Sequence, residues 1–152
     1  AEKVHAADRF ARMHSRSHPG HAREVPVGAV LVEAATGAVL ARAGNRGEEL
    51  SDPTAHAEVL VIREAAAALC DKRLPQCDLY VTLEPCALCA SAIVFARLRK
   101  VVFGAYDPKG GGVEHGPRIF DQPTIHHAPE VIGGVMETEC AAILQVFFAE
   151  RR

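Results

Sequence analysis

A chain of 152 residues with 49% hydrophobic residues has enough apolar sequence for a packed core and the length of one compact domain over 1–152. Its 17 basic and 19 acidic residues leave a formal charge of −2, so bulk charge gives no argument for a nucleic-acid partner. No window approaches the roughly 18 consecutive apolar residues of a membrane span, and the charged opening around Glu2, Lys3 and Asp8 lacks a secretory apolar stretch; a cytoplasmic location without a membrane partner is the expectation. Five cysteines form an odd set, which argues against a disulfide framework and leaves metal binding or burial to explain them.

Along the chain, Ala6, Phe10 and Met13 fall at helical spacing, so residues 2–17 read as an amphipathic helix that ends before Pro19 and Gly20. His14, His18 and His21 around its end could suggest a second metal site, although scattered surface histidines are the plainer reading. Two apolar runs, 27–32 and 38–43, flank the turn-like Ala35-Thr36-Gly37 and predict a hairpin. Over residues 54–69 apolar side chains surround every face of an alanine-rich segment, which predicts a buried helix. Residues 79–83 and 101–103 read as interior strands separated by a second apolar helix over 86–97. Residues 106–123 are rich in Gly and Pro and lack a period, so they read as a long loop. The end returns to helix, with Cys140, Ile143, Leu144 and Phe147 as its stripe and Thr138 as a start signal. This order of strands and helices predicts an α/β fold layered around one sheet.

The chemistry concentrates in two short motifs. Pro85-Cys86-Ala87-Leu88-Cys89 sets two thiols three positions apart at a helix start, on one face and where backbone amides favour thiolate. Alone, this pair is equally a redox couple, a structural half-site or core. Upstream, His56-Ala57-Glu58 opens the preceding helix and adds a third ligand, so that His56, Cys86 and Cys89 make three parts of a tetrahedral zinc site. A fourth position left to water marks a catalytic centre. Zinc lowers the pKa of a bound water, two thiolates temper that effect, and a nearby base is therefore valuable. Glu58, among Val59, Leu60 and Ile62, is the candidate catalytic residue, moving a proton from water to a ring nitrogen and then to the departing amine. In isolation it would be read as a solvated carboxylate or a partner of Arg63. Cys70, Cys77 and Cys140 have no companion ligands and are read as buried or incidental.

The pairing of His-x-Glu with Pro-Cys-x-x-Cys is the signature of zinc deaminases acting on bases. With it, Pro26-Val27-Gly28-Ala29-Val30, Gly44-Asn45-Arg46, Asp52-Pro53-Thr54-Ala55-His56 and Leu79-Tyr80-Val81-Thr82-Leu83-Glu84 make the chain resemble the cytidine deaminase-like superfamily. The segment 101–109 is similar to its bacterial tRNA adenosine deaminase branch, which forms inosine at the anticodon wobble position. The resemblance implies a three-layer α/β/α fold with a mixed sheet of about five strands, one Zn2+ per chain and a homodimer acting on a tRNA anticodon stem-loop. It implies substrate contacts by Asn45, Val27, Ala57, Asp107, Lys109 and Phe148, the last stacking on a flanking base. Arg97, Arg99, Lys100, Arg151 and Arg152 offer local positive charge for phosphates. The departure is at 110–121, Gly-rich and carrying His115, where the branch's usual small-residue segment is replaced. The alternatives are a deaminase of a free nucleobase or nucleoside and a non-catalytic, zinc-stabilised RNA-binding module.

Overall fold

The computed structural model describes residues 2–14 and 23–151. His18, His21 and the side chain of His14 lie outside the described residues, as does the expected helix end near residue 17.

The opening helix, α1, spans Glu2–His14. Its buried face is Val4, Ala7, Asp8 and Ala11, whereas Ala6 is exposed and Phe10 half-buried, so the helix is turned from the expected Ala6-Phe10-Met13 stripe. Size explains the turn. The helix packs over Gly28, where a Cβ would collide with the Ala7 carbonyl and touch Ala11, and its alanines make that approach possible.

The hairpin forms as β1, Gly28–Glu33, and β2, Val39–Gly44, paired antiparallel. Gly37 closes the turn at φ +73°. A single helical turn, α2 at Gly47–Leu50, was not anticipated. The next helix, α3 at Ala57–Leu69, starts later than expected because Asp52 Oδ1 accepts from both the backbone N–H and the hydroxyl of Thr54, holding a turn before His56. Its burial runs along one stripe, Ala57, Glu58, Val61 and Ala65, and not around every face. Alanine's high helix propensity, and not burial, accounts for the rest of its composition.

The remaining elements are β3 at Cys77–Leu83, α4 at Ala87–Ala96, β4 at Lys100–Ala105, β5 at Glu130–Ile132 and α5 at Glu137–Ala149. The last helix starts from Met136, in the left-handed region at φ 55°, and not from Thr138. The loop expected over 106–123 is present, interrupted by one 3-10 turn at Ile119–Asp121.

The five strands form one mixed sheet in the order β2-β1-β3-β4-β5. The hairpin strand β1 is antiparallel to β2 and β3, while β3, β4 and β5 run parallel. Helices α1 and α5 pack on one face, and α3 and α4 cover the other. Alternation along the strands divides the core: Ala29, Leu31, Leu79, Val81, Val101 and Phe103 join the cluster containing Val61 and Ile93, while Val30, Val32 and Val102 join clusters with Val4, Ala7 and Cys140. The carboxyl ends of β2, β3 and β4 share one sheet edge, where α3 and α4 begin, and open α/β sheets place their ligands at such an edge. No helix of the described residues is long and apolar enough to cross a membrane.

Candidate metal centre

His56 and Cys86 each stand at the N-cap of a helix in extended conformation, His56 before α3 and Cys86 before α4. Neither side chain caps its own helix, which leaves both free to point into the space between the helix starts. Cys89, in the first turn of α4, points there too. His56 Nδ1 lies 3.5 Å from Cys86 Sγ and 3.4 Å from Cys89 Sγ, and the three donor atoms all fall within 4.8 Å of one another. A tetrahedral zinc with Zn–S near 2.3 Å and Zn–N near 2.05 Å would separate N from S by about 3.6 Å. The observed spacing fits that ion, and the donor set of one imidazole and two thiols suits zinc.

Electrostatics agree with the geometry. A hydrogen bond from Cys89, followed by one from His56, holds the Cys86 thiol down to about 4. Cys89 is pushed up because its S–H donates a hydrogen bond to Cys86 and because it is buried. Between the two sulfurs the thiolate is thus favoured at Cys86, the form that binds a metal ion. Glu58, one residue inside α3, is 4% exposed and pushed up to about 7, chiefly by burial. It also shares a hydrogen bond with Cys89.

Asn45 contributes in a way its sequence context does not reveal. Its Oδ1 accepts from the Ala57 N–H at 2.8 Å and its Nδ2 donates to the Val25 carbonyl at 3.1 Å, so it caps α3 from β2's end and ties down the turn that presents His56. One amide hydrogen and one lone pair remain. Val27 and Ala57 are buried beside it, and the Ala57 N–H is spent on Asn45. A cleft of about 360 Å³ opens here, lined by Val25, Asn45, Asp52, Pro53, Ala55 and His56 among others.

The other expected contacts are less concentrated. Asp107 turns its Oδ1 on its own loop, accepting from the N–H groups of Lys109 and Gly110, and Lys109 is exposed. Phe148 stands on the last turn of α5, 49% exposed and edge-on to Phe147. Among the described residues the basic set does not gather in one place. Arg99 and Lys100 both reach Asp78, in the register where β3 and β4 begin, and so lie one strand length from Cys86, about 20 Å. Arg97 caps the end of α4 through Val94, and Arg151 lies over the Phe147 ring; Arg152 is outside the described residues.

Sequence reasoning missed Glu84. Its carboxylate is buried and accepts from the backbone N–H groups of Asp107, Val113, Glu114 and His115, with His115 Nδ1 2.8 Å from Oε1. Burial alone would raise its pKa, but these donors outweigh burial and hold it below the ordinary range. His115, half-buried, is thereby tied to Glu84. Cys77 and Cys140 are buried and Cys70 exposed; among the described residues only His56, Cys86 and Cys89 cluster as metal ligands.

Fold and site together define a zinc-binding deaminase domain, and residues 3–105 match the family described as "Cytidine and deoxycytidylate deaminase zinc-binding region". The chain belongs to this family, and within it to the tRNA-specific adenosine deaminases. A relative of that description from Agrobacterium fabrum is 57% identical over 152 residues, covering 100% of this chain and 97% of its own length. One from Bacillus subtilis is 50% identical over 129 residues, 85% of this chain and 79% of the relative. A solved structure from work on A-to-I editing by tRNA:A34 deaminases at the wobble position of transfer RNA superposes with a TM-score of 0.86 at 55% identity, covering 94% of this chain and 99% of the other.

Proposed function

We propose that this protein converts adenosine to inosine at the wobble position of tRNA anticodons by hydrolytic deamination, consuming water and releasing ammonia. The observation that carries the reading is three protein donors with a buried carboxylate, Glu58, beside them. A closed structural site needs a fourth protein ligand, and none joins the cluster among the described residues. Near-full-length similarity to tRNA-specific adenosine deaminases selects the substrate.

His56, Cys86 and Cys89 hold one zinc ion, which when bound supplies the Lewis acidity that makes water a nucleophile at neutral pH. Glu58 takes the proton that water gives up, delivers it to the purine ring nitrogen, and returns a proton to the departing amine. Burial keeps that carboxylate from exchanging its proton with bulk water. Asn45, already fixed at both ends, offers its remaining amide hydrogen and lone pair to the base, with Val27 and Ala57 beneath it. Asp107 and Lys109 approach the ribose and phosphate of the extruded nucleotide, and Phe148 stacks on a neighbouring base.

The protein works as one domain, in the cytoplasm, as a homodimer. The dimer is supported by α4, where Leu88 (42% exposed), Ala92 and Phe95 (71% exposed) form an uncovered stripe at helical spacing. Because α4 begins at the metal ligands, a partner seated there adjoins the active site.

The test is an anticodon stem-loop with a wobble adenosine, incubated with zinc-loaded protein and analysed for inosine, beside free adenosine and guanine. Inosine in the stem-loop with little ammonia from the small molecules is expected. Turnover of the small molecules alone would reassign the substrate. Glu58→Ala is expected to keep zinc and fold while losing about 10²–10⁴ in rate; undiminished turnover would remove Glu58 from the reaction.

A further inference from the structure

The proposed metal ligands lie on two turns, and Asn45 supports the one that carries His56. The Cys86 turn has its own. Glu84 sits two residues before Cys86 at the end of β3, with no room for water around its carboxylate. Oε2 accepts from three successive N–H groups, Val113 at 3.2 Å, Glu114 at 2.9 Å and His115 at 3.1 Å. Oε1 accepts from Asp107 N at 3.1 Å and faces His115 Nδ1 at 2.8 Å. Loop 107–115 is thus wrapped around a single buried anion, a nest of backbone donors.

The same loop presses on the cysteine turn. Gly112 N–H donates to the Pro85 carbonyl at 2.8 Å, and the Gly112 carbonyl accepts from Ile119 N–H at 2.8 Å. A Cβ on Gly112 would come within 2.6–2.8 Å of Ala87 N, Ala87 Cα and the Cys86 carbonyl carbon. Real Cβ atoms do not approach backbone so closely, and backbone here cannot move without moving Cys86. A Cβ on Gly111 would meet the Glu84 carboxylate itself. Two glycines in succession are therefore required by what lies beneath them.

We infer that Glu84, through the loop it gathers and the close seat of Gly112 on the Cys86–Ala87 peptide, positions Cys86 in the metal site. Glu84 is a positioning residue, touching neither metal nor substrate. A second consequence follows from Asp107, whose N–H is held by the same carboxylate: the segment carrying the proposed ribose and phosphate contacts is referenced to the metal turn through one group. The inference rests on the zinc reading of His56, Cys86 and Cys89 but not on the identity of the substrate.

The experiment measures metal directly. Glu84→Gln keeps the size of the side chain but loses the second acceptor oxygen, and Gly112→Ala leaves Glu84 intact while forcing the contact. Asp78→Asn serves as the control, a buried carboxylate paired with Arg99 at the other end of β3. Each protein is loaded with zinc for release into excess chelator, and separately with Co(II) for its visible absorption. Zinc release at least tenfold faster than wild type, with displaced Co(II) bands, is expected for Glu84→Gln and Gly112→Ala. Asp78→Asn is expected to lower the melting temperature while leaving both readouts unchanged. Wild-type release and spectra in folded Glu84→Gln and Gly112→Ala would overturn the inference, as would equal effects from Asp78→Asn. Should Glu84→Gln not fold, Gly112→Ala decides alone. Failure of the zinc reading itself shows separately, as wild-type protein that does not take up one zinc per chain.

Discussion

At the scale of single residues, the candidate metal ligands that the structure brings together were legible because the chemistry demands residue types at short spacing. Cys86 and Cys89 meet on one helix turn whatever the rest of the fold does, and His56 with Glu58 repeats that economy on α3. Asn45 and Glu84 were not legible in the same way. Asn45 caps a helix that starts 12 positions later, and the partners of Glu84 lie 23–31 positions downstream in a segment without a period. The five cysteines provide the residue-scale prediction. Cys70 is exposed, Cys77 and Cys140 are buried, and burial pushes Cys140 up to about 12. At pH 8, zinc-loaded native protein is therefore expected to give one fast-reacting thiol, and chelation of zinc to release two more, Cys86 first because its thiolate is favoured. Three fast thiols before chelation would contradict metal ligation. The sign of the Cys140 effect on stability follows from its raised pKa. An unfolded Cys140 loses its proton near its ordinary value while the folded one retains it, so its contribution is intact below about pH 9 and is lost as pH rises toward 12. Cys140→Ala is expected to flatten the fall in chemical-denaturation midpoint over that range.

At the scale of elements, the strands and long helices followed their hydrophobic patterns, and the exceptions have physical causes. Only three residues form β5, after a stretch of Pro, His and Gln that carries no alternation. The helix α3 looked buried on every face because alanine is apolar on any scale yet tolerates solvent. The rotation of α1 was hidden because the periodic Ala6, Phe10 and Met13 were more conspicuous than Val4, Ala7 and Ala11. What selects the buried face is the absence of a side chain at Gly28, a tertiary fact. The distinction is testable with one substitution on each face. Ala7→Leu is expected to destabilise by about 1–3 kcal/mol, since Ala7 is wholly buried against Val30 and Val32 and extra methylenes there force the helix off the sheet. Ala6→Leu, on the exposed side, is expected to change stability by less than about 0.5 kcal/mol. Urea unfolding of the two variants gives both values, and the reverse order would restore the stripe read from periodicity.

At the scale of the whole molecule, the arrangement of layers explains why both functional motifs meet. Because β1 is antiparallel to its two neighbours, β2 and β3 end at the same edge, and the helices that follow them open side by side with their ligands facing. The same geometry sends the Arg99 and Lys100 pair to the opposite edge, where it neutralises Asp78, so a tRNA bound at the metal edge must find its phosphates elsewhere. A second copy of the chain is one source of additional surface. The stripe of Leu88, Ala92 and Phe95 continues outward from the Cys86 turn, and covering it would both remove apolar area from water and build a wall beside the cleft. A stable interface of ordinary size buries about 800 Å² on each partner, more than this stripe alone can supply, so neighbouring loops must join it. Phe95→Asp places a charge at the most exposed point of the stripe, about two turns along α4 from Cys89. Sedimentation at micromolar concentration is expected to show a dimer for the wild type and a monomer for Phe95→Asp. The dimer's melting temperature should rise with concentration while the variant's does not. Zinc content should be retained in the variant, because none of the ligands is touched, and turnover of the anticodon stem-loop should fall with the loss of the adjoining wall. A wild-type protein that sediments only as a monomer would remove the dimer. A monomeric Phe95→Asp variant with full stem-loop turnover would show instead that each chain binds its substrate alone.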